Sequence, residues 1–218
     1  MTSGRWERLA PLAGVVFVVL VLVAFIPLGG DTPDNDATAQ KVQSFYSEHS
    51  DRELLGAYVL VLSVPFLVFF TSILYRAIRA AGGRGRLAIA AFGGGLLSAA
   101  GFAVGAAIHF ALASAGDKAS TLPTTQTLNV LDNSSFFPFV AGLGILMLAS
   151  GLATLRYGGV LPRWLGWAGV ILGIAIFIPF VGFVAFGLSG LWVVAASIVL
   201  YQRSDLPESG PAVSSAQT

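Results

Sequence analysis

The chain has 218 residues, of which 56% are hydrophobic and 11% charged, with a formal net charge of +1 and no cysteine. A water-soluble domain carries about 25% charged residues, so this surface requires a lipid solvent. The near-zero charge and unclustered lysines and arginines exclude a nucleic-acid partner; the lack of cysteine excludes disulfides, thiolate metal sites and cysteine nucleophiles.

The first predicted element is an uncharged apolar run over residues 9–29, preceded by Arg5 and Arg8. At about 1.5 Å per residue it crosses a hydrocarbon core of roughly 30 Å. Its length and its Pro27-Leu28-Gly29-Gly30 exit argue for an uncleaved span over a signal peptide. A polar loop, 30–52, follows. Within it Val42, Phe45, Tyr46 and His49 recur at helical spacing, which predicts a short extracytoplasmic amphipathic helix between spans 1 and 2.

The second span is expected at 54–75, with Pro65 removing a backbone bond and kinking it. Arg76, Arg79, Arg84 and Arg86 surround the next turn. The third span, 87–113, is glycine-rich: Gly94, Gly101 and Gly105 offer close helix packing, as do Gly169 and Gly173 in the fifth. The fourth is placed at 134–155, capped by Asp132 or Asn133 with Pro138 in its first turn. Arg156 and Arg163 bracket the connector to the apolar run 164–203. That run reads as two short spans, 164–182 and 188–203, turning near Gly182–Gly190, with one span plus a re-entrant segment as the alternative. The tail, 204–218, has the composition of disorder and is read as cytoplasmic.

Six spans place both termini on one side. Arg5, Arg8, Arg76, Arg79, Arg84, Arg86, Arg156, Arg163 and Arg203 then share that side, against Lys41, Arg52 and Lys118 opposite. This asymmetry predicts cytoplasmic termini, and the arginines also suit anionic headgroups. A faint echo relates Arg79-x6-Arg86 to Arg156-x6-Arg163, too common a pattern to establish an internal repeat.

Three stretches carry a family resemblance: Ser44-Phe-Tyr-Ser-Glu-His-Ser-Asp-Arg-Glu-Leu-Leu-Gly-Ala-Tyr58, Leu128-Asn-Val-Leu-Asp132 and Leu161-Pro-Arg-Trp-Leu-Gly-Trp167. Through them the chain resembles a widespread actinobacterial family of multi-pass integral membrane proteins of unknown function. The resemblance implies a bacterial plasma-membrane location and a helical bundle, and carries no activity or site residues.

Between the interfaces the spans hold no Asp, Glu, Lys or Arg, which argues against ion-coupled transport. Their hydroxyls, from Ser63 to Ser197, read as groups bonded to helix carbonyls or bridging helices. His109 lies about 35 Å along its helix from Arg86, at the outer interface. It is the candidate centre of an outer polar pocket with Asp132, Asn133 and Asn129; the plainer reading is an interfacial histidine bonded to a loop or water. Two histidines are too few for a three-histidine zinc site, and haem would need both. Asp31, Asp34 and Asp36 lack EF-hand spacing. No metal and no cofactor is expected.

The expected fold is thus all-α, a single transmembrane bundle of six helices over residues 1–203. The leading functional reading is a non-catalytic assembly or accessory component, partnered by the bilayer and by a second copy or another membrane protein. The alternatives are a carrier or channel for an uncharged or lipidic molecule, and an outer-face intramembrane enzyme built around His109 and Asp132.

Overall fold

The structure, a computed structural model, describes residues 9–30, 32–82, 85–117 and 121–204. The expectations for Arg5, Arg8, Asp31, Arg84, Lys118 and the tail from residue 205 concern residues outside these.

The described chain is all-helical. Helix α1 spans Ala10–Leu28, beginning with a 3-10 turn and ending in a π turn that contains Pro27. It is followed by α2 (Ala39–Ala80), α3 (Arg86–Asp117), α4 (Leu122–Ser134), α5 (Phe136–Tyr157), α6 (Arg163–Ala175) and α7 (Val181–Ser204). Five stretches are long and apolar enough to cross a membrane: α1, α2, α3, α4 joined to α5, and α7. The remaining apolar helix, α6, has 13 residues.

The elements differ from the expectations in several details. Residues 39–49 are helical, as expected, and end at a kink. The kink at His49 (φ −116°, ψ 15°) separates this first limb of α2 from the second predicted span, which follows it directly with no intervening loop. The backbone stays helical through Pro65. The stretch read as a loop before the fourth span is helix α4, which starts after Thr121 with Pro123 in its first turn. Asp132 and Asn133 therefore close α4 and do not cap α5, whose N-cap is Ser135. The turn between the last two helices lies at Ile176 to Phe180, and Gly182, Gly187 and Gly190 are inside α7. Pro179 lacks an N–H and restricts Ile178, whereas glycine weakens a helix without stopping it.

Helix lengths divide the molecule into two tiers. At about 1.5 Å per residue the limb of α2 after His49 is ~47 Å long and α3 ~48 Å, well beyond a ~30 Å hydrocarbon layer. In one tier all the helices but α4 pack around a core that includes Phe70, Phe102, Leu146, Met147 and Trp192. Above it the first limb of α2, the end of α3 and helix α4 enclose a second, smaller core of Ala37, Val42, Tyr46, Leu112 and Ala113.

The first tier is closed by backbone contact. A Cβ on Gly94 would come within 2.6 Å of Leu146 N and 2.9 Å of Gly142 O, and one on Gly142 within 2.6 Å of Gly94 O. Only hydrogen fits there, which lets α3 and α5 touch along their main chains. Gly101 meets the Phe139 backbone, while Gly105 faces Ser135 Oγ at 3.1 Å. Gly173 packs on Leu148 and Gly144 of α5, and Gly169 on Met147 O and the Trp192 ring. Trp192 Nε1 donates to Leu165 O at 2.9 Å, joining α7 to α6.

The antiparallel succession of helices gathers Arg76, Arg79, Arg86, Arg156, Arg163 and Arg203 at one end of the bundle. There Arg203 donates to the carbonyls of Gly159 and Val160 in the 158–162 connector.

Candidate functional site

A polar seam separates the two cores. Glu53 of α2 and His109 of α3 each lie 23 residues, roughly 35 Å, along their helices from Arg76 and Arg86, and Asp132 at the end of α4 meets His109 at that level. Three neighbouring helices therefore bring their ionisable groups to one level, beyond a hydrocarbon layer measured from the arginine end.

His109 joins them. Its Nδ1 lies 2.8 Å from Asp132 Oδ2 and its Nε2 3.1 Å from Glu53 Oε2. With a proton on each nitrogen the ring donates to both carboxylates, bridging three helices. Glu53 is fully buried, and its other oxygen accepts from Arg52 Nη2 at 2.7 Å and Nε at 3.1 Å. The Arg52 guanidinium also lies 5.8 Å from the Phe45 ring centroid, a cation–π distance. The Tyr46 ring stands edge-on to His109 at 6.1 Å. Its hydroxyl is buried without a hydrogen-bond partner, as is Asn129 Oδ1.

The remaining predicted residues do another job. Asn129 donates to Asp34 O at 3.0 Å, and Asn133 to Pro33 O and Asn129 O, both at 3.1 Å. Thr125 donates to Gln43 Oε1 at 2.6 Å, and Gln43 to Gly116 O at 2.8 Å. The two asparagines tie the strap 32–38 to α4, while Thr125 and Gln43 join α4, α2 and the end of α3. So of the four residues grouped by sequence, the structure joins His109 to Asp132 and gives Asn129 and Asn133 to the strap. Glu53, Arg52 and Tyr46 were missed. A signal for Glu53 was present: Val42, Tyr46, Ser50 and Glu53 form one buried stripe once the helix is followed past His49.

Access to the cluster is uneven, with the His109 and Asp132 side chains each 17% exposed and Glu53 fully buried. A cleft of about 450 Å³ on the upper tier is lined by Thr32, Pro33, Asp34, Lys41, Ser44, Phe45 and Glu48, and not by His109. A crevice of about 70 Å³ between α1 and α7 reaches Phe102 and Leu143 and is apolar apart from Ser189. His49 stacks on Phe45 and bonds to the Phe45 carbonyl, sharing no partner with His109. Among the described residues no group of three or more His, Cys, Asp or Glu is placed to hold a metal ion. Of the hydroxyls, Ser63, Thr71, Ser72, Thr154 and Ser189 bond to carbonyls in their own helices, and Ser98 crosses to Phe139 O. Ser150 and Ser197 are buried with no partner.

Comparison with protein-family models, with curated proteins and with solved structures finds no match to this chain.

Proposed function

We propose that the protein is a six-span component of a bacterial plasma membrane, with both termini in the cytoplasm. Its role is non-catalytic: it assembles with or supports other membrane components and presents its upper tier outside the cell. The arginines gathered at one end, facing the cytosol by the positive-inside rule, support the orientation. The observation that carries the functional reading is the main-chain contact between α3 and α5 at Gly94 and Gly142. A carrier needs a path between these helices, and at that contact there is no room for a methyl group.

A second reading has one observation in its favour. His109 pairs with Asp132, the geometry of an imidazole base oriented by a carboxylate. An outer-face enzyme would use that pair, with Glu53 beside it.

Purification from native membranes in mild detergent, with mass spectrometry of bound proteins and small molecules, tests the choice. The accessory role predicts a stoichiometric protein partner or a self-assembly. A monomer carrying a stoichiometric small molecule would overturn it.

A further inference from the structure

From Trp164 to Leu188 the chain has no charged, amide or hydroxyl side chain. Helix α6 occupies the first part of this run and, with 13 residues, rises only about 20 Å from Arg163, against a hydrocarbon core of ~30 Å. The turn that follows is apolar throughout, and Phe180 is 96% and Phe183 84% exposed. Phe177, Ile178, Val181 and Val184 are exposed beside them.

Packing places the α6 end of this turn within the hydrocarbon layer. The Phe177 ring and Ile176 meet Gly144, about 12 residues or ~18 Å along α5 from Arg156, half as far as Asp132. Most N–H groups of the turn are bonded within it. The N–H groups of Ile176, Phe177, Ile178, Val181 and Gly182 donate to the carbonyls of Leu172, Ile174, Ala175, Pro179 and Ile178. Pro179 has no N–H, which leaves only that of Phe180. Water would bond to an open turn without this arrangement; hydrocarbon would not. Phe180 takes a left-handed backbone (φ 64°), which a non-glycine residue adopts at a cost of about 1–2 kcal/mol.

We infer that the α6–α7 turn is immersed in the half of the bilayer remote from the arginines, presenting Phe177, Phe180 and Phe183 to lipid acyl chains. This surface rests on the membrane location proposed above. The occupant is lipid and not a second copy, because the exposed side chains surround a self-bonded turn and include no group that would fix a protein partner's register. The last two helices then turn back within the outer half of the bilayer, with the seam and the upper tier above them.

The absence of cysteine allows one label at a time. Nitroxide labels at Phe180→Cys, Phe183→Cys, Val19→Cys on the outside of α1 and Ser44→Cys on the upper tier are compared in phosphatidylcholine vesicles. Power saturation reads their collisions with oxygen and with a water-soluble nickel chelate. Positions 180 and 183 are expected to match position 19, with oxygen favoured several-fold, and position 44 to show the reverse. If 180 and 183 match 44 while 19 stays oxygen-favoured, the turn lies in water and the inference fails alone. If 19 also matches 44, the membrane location fails with it. If 180 and 183 are shielded from both reagents, protein covers the turn and the inference is overturned in favour of a second copy or partner.

Discussion

Glu53 reaches Nε2 of His109 across 3.1 Å, although 56 positions separate the two in the chain. The contact ties α2 to α3, and through Asp132 the same ring holds α4. A small cluster thus pins together, at its base, the three helices that form the upper tier.

Removing the ring leaves two carboxylates, one of them fully buried, without their shared partner. Breaking such a pair costs about 3–5 kcal/mol, whereas replacing all its members by apolar groups is near neutral. His109→Ala is expected to destabilise by that amount in mixed-micelle unfolding. The triple variant Glu53→Leu, His109→Leu, Asp132→Leu should recover most of the loss. A change below about 0.5 kcal/mol for His109→Ala would remove the seam from any account of stability.

The α3–α5 contact makes a sharper contrast. A methyl at Gly142 collides with main chain, which cannot move aside, while Gly93 on the same bundle has nothing within 4 Å of its would-be Cβ. Gly142→Ala is expected to cost about 1–3 kcal/mol or more, as overpacking does. Gly93→Ala should be neutral or slightly stabilising, since alanine is the better helix former. Thermal unfolding of the two variants in one detergent reads the difference; equal melting temperatures would refute the packing argument.

The strap can be released without touching the bundle. Asn129→Leu and Asn133→Leu together delete the bonds to Asp34 O and Pro33 O. Cleavage within residues 32–38 by a broad-specificity protease should then accelerate about tenfold, the effect of ~1.4 kcal/mol on local opening. The unfolding midpoint of the membrane tier should hold. Parallel loss of both would mean that the tiers unfold as one unit.

Orientation is open to direct labelling. In intact bacterial cells a membrane-impermeant maleimide should modify Ser47→Cys and leave Gly85→Cys untouched until the membrane is permeabilised. The opposite pattern inverts the topology; modification of both in intact cells contradicts a span between them.

Much of this architecture could be read from the sequence because lipid imposes simple rules. Long apolar runs, arginines at alternate turns and small residues at Gly94 and Gly101 each follow from a single physical constraint. Helix α4 escaped because its buried positions, Thr125 and Asn129, are polar, so hydrophobic periodicity has no stripe to report. The start signal, Thr121 before Leu122-Pro123, was there but was set within a stretch rich in threonine. Glu53 escaped because it stands at the nominal mouth of a span, where carboxylates usually face water. Its partner becomes visible only when α3 is laid beside α2.

The residues of the seam come from α2, α3 and α4, and the tight glycine contact from α3 and α5; α6 and α7 supply none of either. During synthesis those first elements can therefore settle against one another while the ribosome is still adding the C-terminal hairpin. The hairpin would then be a late lodger, docking sideways on a finished wall through Gly173 against Gly144 and Leu148 and clasped by Arg203 at its foot. Truncation after Tyr157 should accordingly leave a folded remnant, whereas loss of α3 should leave nothing for the others to build on.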